Sequence, residues 1–202
     1  MNIVESPQAE PPATAVLDAR KSNSLEGGPS FSLGNRITRV AFMLVWALFC
    51  RWTPPRAHAW RAAILRLFGA RIARKVAIYP SVQIWLPAHL EMHEGATLGP
   101  GVNCYAMAPI TIGKGAIVSQ RAVLCAGSHD YRDPAFQLIT RPITIGPKAW
   151  VAAEAFVGPG VTLGEGAVLG ARGVAFRDLQ PWTVYAGNPC AEVARRDIRQ
   201  PR

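Results

Sequence analysis

The chain is short of cysteine, of acidic residues and of charge in general, and each shortage argues against a class of protein. Only 4 of its 202 residues are cysteine and none lies in a CxxC pair, so we expect reduced thiols rather than a disulfide scaffold. With 13 Asp or Glu against 22 Lys or Arg, the net charge is +9, which favours an anionic partner such as a phosphorylated cofactor, a nucleic acid or a lipid surface. Only 17% of residues are charged and 50% are hydrophobic, which excludes wholesale disorder.

A long apolar run is missing too. In the segment 35–52, eleven uncharged residues separate Arg39 from Arg51, whereas a membrane span needs roughly 20. We therefore expect a helix that packs on the domain or lies in the membrane interface, ended by the Thr-Pro-Pro at 53–55. Residues 1–34 are rich in Pro, Ala, Ser and Glu and lack a basic start followed by an apolar run. They predict a flexible leader rather than a signal peptide.

A second helix is predicted to follow, so that 35–71 forms an apolar and basic helical segment. Gly69 is placed to end this helix. Its predicted apolar stripe comprises Trp60, Ile64, Leu67 and Phe68. The arginines predicted to lie off that stripe are Arg56, Arg61 and Arg66. Two interpretations stay open: the helices cover the end of the next domain with solvated arginines, or the arginines meet anionic lipid headgroups.

From about residue 76 to 193 the sequence repeats with a period of six. Small or aliphatic residues recur without a slip at Ile145, Val151, Val157, Leu163, Leu169 and Ala175. Short strands joined by tight turns give this period, because each turn then buries one side chain and neighbouring turns stack into a solenoid with a continuous core. We therefore predict an all-β fold, a parallel β-helix of hexapeptide repeats, with N-terminal helices, a short C-terminal segment and a basic tail at 194–202.

The count of six is interrupted at three places. The steps from 84 to 92 and from 104 to 112 are eight residues long, and the step from 124 to 145 is twenty-one. If three hexads make one coil, positions 84, 104, 124, 157 and 175 stack along one edge. All three insertions then leave the coil at the same corner. The longest one, the loop 125–142, contains His129, which indicates one working edge.

Three motifs near this loop carry a resemblance to a known family: "SHDYRDPAF" in the loop, "ITIGPKAWVAAEAFVGPGVTLGEGAVLGAR" after it, and the closing "YAGNPC". They resemble the hexapeptide-repeat acetyltransferases, which fold as left-handed parallel β-helices, in the branch with galactoside, maltose and nodulation O-acetyltransferases. The preceding "FGARIARKVAIYPSVQIWLPAHLEM" and the arginine-rich helices make the resemblance closest to the colanic acid biosynthesis acetyltransferases. It implies an acetyl-CoA-dependent O-acetyltransferase acting on a sugar hydroxyl in exopolysaccharide or cell-envelope glycan biosynthesis. It also implies direct transfer in a ternary complex and a homotrimer with active sites between neighbours.

The same resemblance assigns His129 as the general base. An imidazole can take a proton from a sugar hydroxyl at neutral pH and return it to the departing thiolate. The alternative is a loop histidine without a function. Glu154 or Asp130 could orient His129, and the sequence does not decide between them. The backbone N–H of Ala153 is implied as the donor to the oxyanion.

The remaining implied site residues bind the two substrates. Ala171, Phe176 and Arg177 are implied to contact acetyl-CoA, with Arg177 at its phosphates; the alternative for Arg177 is a solvated side chain. Asn103 and Trp150 are implied to bind the acceptor, and the alternative for Trp150 is an ordinary buried aromatic. One departure from the galactoside enzymes is Ala191, where they carry an arginine. Arg195 or Arg196 would have to substitute for it.

Two other functions stay open. A γ-carbonic-anhydrase-like zinc enzyme would need His89, His93 and His129 to converge on one ion, although the spacing places the first two about two coils, or about 10 Å, from the third within one chain. A non-enzymatic scaffold would use only the basic helices, at a membrane surface. For the preferred acetyltransferase no metal is expected. No nucleic acid is expected either, because no stacking aromatics are interleaved with the basic residues. We expect a cytoplasmic protein, in contact with the inner membrane if 35–71 binds lipid.

Overall fold

Residues 31–198 are described in the computed structural model, and most of them form a three-sided parallel β coil. The first side comprises β1 (Arg71–Ile72), β4 (Leu90–Met92), β7 (Ile110–Ile112), β12 (Ile143–Ile145) and β15 (Thr162–Leu163). The second comprises β2 (Ala77–Ile78), β5 (Thr97–Leu98), β8 (Ile117–Val118), β13 (Trp150–Val151), β16 (Val168–Leu169), β18 (Thr183–Ala186) and β19 (Ala191–Arg195). The third comprises β3 (Gln83–Ile84), β6 (Asn103–Tyr105), β9 (Val123–Cys125), β14 (Phe156–Val157) and β17 (Val174–Ala175).

The register of the coil confirms the count of six. On the third side the parallel pairs join positions 84 to 104, 104 to 124, 124 to 157 and 157 to 175, which is the predicted edge. Each of these side chains points into the core, as do those at the uninterrupted hexad positions from 145 to 175. A single column of buried side chains therefore runs along each side of the coil.

The glycine that follows a buried hexad residue is required by the spacing between coils. A Cβ built on Gly146 would lie 2.6 Å from the backbone oxygen of Leu163, in the next coil. No side chain can be accommodated at that separation. Glycine at this position therefore permits the close approach of two backbones.

All three insertions leave the coil where the third side ends, as predicted. The first contains a short 3-10 helix, Pro87–His89, and the second is a tight bend after β6. The third forms a small hairpin of its own, in which β10 (Gly127–His129) pairs antiparallel with β11 (Leu138–Thr140). The corner between the third and first sides therefore carries every irregularity of the repeat.

Two helices precede the coil. Helix α1 (Leu33–Phe49) begins two residues before the predicted boundary, because Ser32 caps it by accepting a hydrogen bond from the amide of Asn35 at 3.3 Å. It buries Phe42 and Trp46 against the coil. Helix α2 is His58–Leu67. The predicted leader lies mostly at residues 1–30, outside the described residues.

The predicted apolar stripe of the second helix is only partly confirmed, because Ile64 and Phe68 pack against the core and the other two residues do not. Trp60 and Leu67 are largely exposed, whereas Arg61, predicted to lie off the stripe, is fully buried. The Arg61 guanidinium donates to the carbonyl of Ile78 at 2.6 Å, to that of Pro54 at 3.0 Å and to that of Pro55. Its buried position lowers the pKa of Arg61 from the ordinary value. Arg61 points inward because the Thr-Pro-Pro segment at 53–55, which separates the two helices, leaves backbone carbonyls that need a hydrogen-bond donor.

The chain after the coil folds back on it. Strand β19 pairs antiparallel with β18 and extends to Arg195, so regular structure crosses the predicted boundary at 194. All four cysteines are free thiols, as predicted. Burial raises the pKa of Cys50 to about 11 and that of Cys104 to about 12. Within residues 31–198, no helix is both long and apolar enough to cross a membrane.

Candidate active site

His129 lies at the end of β10, on the exposed hairpin at the corner between the third and first sides. We call this corner the working corner. The hairpin is attached rigidly because β10 follows β9 of the coil after a single residue, Ala126. Ala126 is buried, and its carbonyl accepts the amide of Arg141 at 3.0 Å from the returning chain. The imidazole is therefore exposed to solvent on a hairpin whose two ends are hydrogen-bonded where it leaves the third side of the coil.

The hydrogen bond that His129 makes determines which of its ring nitrogens is free. Nδ1 lies 2.7 Å from the backbone oxygen of Phe136, across the hairpin. A carbonyl oxygen can only accept, so Nδ1 carries the proton and the neutral ring leaves Nε2 unprotonated. This is the tautomer that a general base needs.

Neither carboxylate considered as an orienting group contacts His129. Asp130 accepts the backbone amide of Arg132 at 2.9 Å through its side chain and so shapes the loop. Glu154 lies on another corner, between Arg121 and Arg172. Hydrogen bonds from Arg172 and from Arg121 lower the pKa of the Glu154 carboxyl below its usual range. The orienting group is instead the Phe136 carbonyl.

Asn103 lies on the outer surface of the third side, one coil before the strand that leads to His129. It pairs with Val123 of β9 in parallel register. Tyr105, two residues later on β6, points the same way, and its ring centroid lies 6.1 Å from that of Trp85 in the preceding coil. The predicted acceptor residue therefore stands beside a small aromatic surface that sequence reasoning did not single out.

Trp150 is not a buried aromatic, because 43% of it is exposed. Its indole N–H donates to the Ser119 hydroxyl at 2.9 Å, which anchors the ring on the outer surface of the second side. Ile117, paired with Trp150 in the neighbouring coil, is also exposed. This side of the coil therefore presents an apolar surface outward.

Ala153 and Ala171 occupy equivalent turns in successive coils, at the corner between the second and third sides. The carbonyl of Ala153 accepts the amide of Arg172 at 2.9 Å, which stacks the two turns. In the described part of the chain the amides of Ala153 and Ala171 donate to no acceptor. Two N–H groups that are about 4.8 Å apart, one coil spacing, are thus available to a ligand that runs along this corner.

Phe176 and Arg177 directly follow β17, on the working corner below His129. Phe176 is exposed and packs against Phe156 with ring centroids 5.7 Å apart. The guanidinium of Arg177 is exposed, and it has no ion-pair partner among residues 31–198. It is therefore a cation available to an anionic ligand.

The arginines considered as substitutes at Ala191 are both engaged elsewhere. Arg195 donates to the hydroxyl of Thr183 at 2.8 Å. Arg196 donates to the carbonyls of Lys148 and Gly166, each at 2.8 Å, at the corner between the first and second sides. Arg177 remains the better candidate for a phosphate contact.

A single chain does not bring all the predicted site residues together. His129, Phe176 and Arg177 stand on the corner after the third side, whereas Ala153 and Ala171 stand on the corner before it. The whole width of the third side separates the two groups. One chain by itself therefore does not place Ala153 beside His129.

The three histidines of the zinc alternative are not brought together either. The Nδ1 atom of His89 lies 3.0 Å from the Ala106 oxygen, and His93 Nε2 lies 3.2 Å from a carboxylate oxygen of Glu91. No cluster of three or more His, Cys, Asp or Glu side chains suited to a metal occurs between residues 31 and 198.

The chain is similar to acetyltransferases both in sequence and in structure. It is 42% identical over 166 residues to a putative colanic acid biosynthesis acetyltransferase of Escherichia coli, with 82% of this chain and 91% of that protein covered. A maltose O-acetyltransferase from Clostridium difficile superposes with a TM-score of 0.75 at 20% identity, over 92% of this chain and all of the other. A hexapeptide-repeat acetyltransferase from Vibrio cholerae, complexed with acetyl coenzyme A, superposes with a TM-score of 0.74 at 22% identity, over 85% and 93% of the two chains. No protein-family model matches the chain. The structural likeness confirms the predicted left-handed parallel β-helix.

Proposed function

The chain belongs to the hexapeptide-repeat acetyltransferases, in the group of the colanic acid biosynthesis enzymes, and on that premise we propose that it acetylates a sugar hydroxyl with acetyl-CoA as the donor. The acceptor belongs to exopolysaccharide or cell-envelope glycan synthesis. Transfer is direct, within a ternary complex, and His129 is the general base.

One observation carries the assignment of the base. The Phe136 carbonyl holds the proton of His129 on Nδ1, at 2.7 Å, and leaves the lone pair of Nε2 directed away from the hairpin. His89 makes the same type of contact through Nδ1, to the Ala106 carbonyl, but its ring is partly buried, whereas that of His129 is exposed on the inserted hairpin. A proton acceptor at an exposed corner needs this arrangement.

In the proposed reaction, Nε2 of His129 carries one proton from the acceptor hydroxyl to the departing thiolate. Nε2 removes the proton from the acceptor hydroxyl as its oxygen attacks the acetyl carbonyl carbon. The N–H of Ala153 donates to the oxygen that becomes negatively charged. When the carbon–sulfur bond breaks, the imidazolium returns the proton to the sulfur, so the products are an acetyl ester and a free thiol.

The outward groups of the coil fit acetyl-CoA. The unused amides of Ala153 and Ala171 can pair with the polar groups of an extended arm that runs along their corner. Phe176 offers an exposed ring, and Arg177 is a free cation suited to a phosphate. Asn103 and Trp150 are proposed to contact the acceptor.

We propose a homotrimer as the active form, because the two groups of site residues stand on different corners of one chain. The outer surfaces of the sides differ in a way that supports it. The first side presents Arg71, Glu91 and threonines, whereas the second presents Ile117 and Trp150. Packing the second side against a neighbour would bury these apolar groups and complete the site.

The proposed location is cytoplasmic, with peripheral contact to the inner membrane through residues 35–71. Acetyl-CoA is a cytoplasmic metabolite, and the helical segment is both apolar and basic.

Replacing His129 tests the proposed function. His129→Ala should lower kcat for coenzyme A release by about 10²- to 10⁴-fold, measured with a panel of free and lipid-linked sugars, because the hydroxyl loses its proton acceptor. The melting temperature should stay the same, since the side chain is exposed.

His93→Ala is the matched control, since this histidine is also exposed and paired only with Glu91. Its turnover should stay within about twofold of the wild type. Near-normal turnover by His129→Ala would overturn the assignment of the base, whereas absence of turnover by the wild type with every acceptor would favour the non-enzymatic scaffold. Equal loss in both variants would favour a shared metal site.

A further inference from the structure

Helix α1 has an apolar side that no other part of residues 31–198 covers. We call it the outer stripe; its five residues recur at steps of three or four and are Leu33, Ile37, Val40, Leu44 and Leu48. Between 50% and 69% of each is exposed. Soluble proteins rarely leave so many large aliphatic side chains together in water, so this stripe is expected to have a partner.

The opposite side of α1 is fixed to the coil. Phe42 and Trp46 are buried, and the indole N–H of Trp46 donates to the carbonyl of Pro80 at 3.2 Å. The Arg39 guanidinium lies 4.3 Å from the centre of the Trp85 ring. Because this side is so firmly held, α1 cannot roll over to hide the outer stripe.

Tryptophans extend the exposed apolar surface at the C-terminal end of α1. Trp52 is 84% exposed. Trp60 of α2 is exposed as well, and its indole N–H donates to the carbonyl of Phe49 at 2.8 Å, which places it against the end of α1. Tryptophan, with an apolar ring and one N–H group, is typical of the boundary between lipid and water.

The charge around the stripe has one sign. Residues 27–90 contain nine Lys or Arg and no Asp or Glu, which equals the net charge of the whole chain. Arg36 lies at the first turn of α1, and Arg51 and Arg56 follow its end; all three are exposed. Within the described residues none of the three pairs with a carboxylate. The apolar stripe therefore has free positive charge at both ends.

This charge distinguishes between the candidate partners. A second copy of the chain on the same stripe would bring two sets of unpaired arginines together, which is unfavourable. A bilayer with anionic headgroups offers the apolar interior and the opposite charge at once. A helix of 17 residues is about 25 Å long and suits a position in the plane of the membrane rather than across it.

We propose that α1 docks the enzyme on an anionic phospholipid bilayer, with the outer stripe in the acyl-chain boundary and Arg36, Arg51 and Arg56 at the headgroups. The inference names the surface behind the peripheral contact proposed above, and it does not depend on acetyl transfer. Since Trp85 contacts Arg39 and lies two coils from the strand before His129, about 10 Å along the coil, the docked enzyme would hold its working corner close to the membrane.

Vesicle flotation of the full chain tests this proposal. The wild type should float with vesicles of phosphatidylcholine and phosphatidylglycerol, and less with phosphatidylcholine alone or at high salt. Ile37→Glu with Leu44→Glu should lower the partition coefficient by at least about tenfold, because each change places a charge in the apolar layer.

The matched control is Val193→Glu with Ile198→Glu. Ile198 is 60% exposed and Ile37 is 59% exposed, so the two pairs of changes make similar demands on the fold. The control should bind vesicles within about twofold of the wild type, and both variants should melt as the wild type does.

Other outcomes overturn the inference. Failure of the wild type to float, or equal flotation of all three proteins, would show that the stripe does not bind lipid. A change of molecular mass in the α1 variant, by sedimentation, without flotation of the wild type would show that a second copy covers the stripe.

Coenzyme A release from the same preparations keeps the two proposals apart. An α1 variant that turns over a soluble acceptor but no longer floats would support the docking surface, whereas a His129→Ala protein that floats without turnover would support both proposals.

Discussion

Leu163 of the coil and Leu44 of α1 are the same residue type in opposite environments. Leu163 is fully buried, whereas Leu44 is 58% exposed. In the coil, three columns of side chains close on one another, so each aliphatic residue has neighbours on every side. Helix α1 has the coil on one side only. The coil needs its apolar residues in order to fold, and the outer stripe is not needed for that purpose.

Truncating both leucines should separate the two roles most clearly. Leu163→Ala should lower the free energy of unfolding by about 2–5 kcal/mol, because it leaves a cavity in a closed core. Leu44→Ala should change it by no more than about 0.5 kcal/mol. Urea denaturation at one fixed protein concentration measures both values, and similar losses in the two variants would contradict the view that the outer stripe is dispensable for folding.

Two arginines of the helical region extend the contrast to charged side chains. Arg61 is buried on three carbonyls, whereas Arg56 is exposed. Arg61→Ala should lower the free energy of unfolding by about 2 kcal/mol, since buried acceptors lose their donor. Arg56→Ala should leave stability unchanged, within about 0.5 kcal/mol, and weaken only vesicle binding. The same denaturation and flotation measurements apply, and a stable Arg61→Ala protein would show that the carbonyls find other partners.

The smallest effect on stability is expected for Glu154, whose carboxylate forms ion pairs with two arginines of the coil, Arg121 and Arg172. Because Arg172 and Arg121 lower the pKa of this carboxyl in the folded chain, its contribution to stability is present above the pKa of the unfolded chain. That contribution is lost as the pH falls through the lowered folded value. In Glu154→Gln the dependence of the melting temperature on pH in this acidic range should be weaker than in the wild type.

High salt should reduce the same difference, because both arginines are exposed and their attraction to Glu154 is screened. Identical acid profiles of the wild type and Glu154→Gln at low salt would show that the Arg121–Glu154–Arg172 ladder adds nothing. Arg121 and Arg172 would then contribute no more to stability than the unpaired arginines that flank α1.

The regular part of the chain could be predicted residue by residue. Counting in sixes placed positions 84, 104 and 124 on one edge and the loop with His129 at its corner, and the register of the strands confirms both. The prediction worked because the spacing of buried residues in a coil follows from its own geometry and depends on no distant contact.

The helical region was predicted less well, for a physical reason. A helical stripe indicates which residues could pack, but the neighbour decides which of them do. Arg61 was placed outward because charge is normally exposed, and the carbonyls of the proline break turned it inward. Nothing in the local sequence indicated that Ile78, seventeen residues away, would accept its third hydrogen bond.

By itself, the sequence determined a coil with a six-residue period and the positions that form its core. With three hexads assumed per coil, it also determined the single corner from which a histidine-bearing loop leaves, because these features follow from a short repeat. Only the tertiary structure decided the tautomer of His129, the separation of Ala153 from it by a full side of the coil, and the exposure of one side of α1. Each of these depends on backbone or side-chain groups that meet, or fail to meet, across elements whose relative position no local pattern specifies.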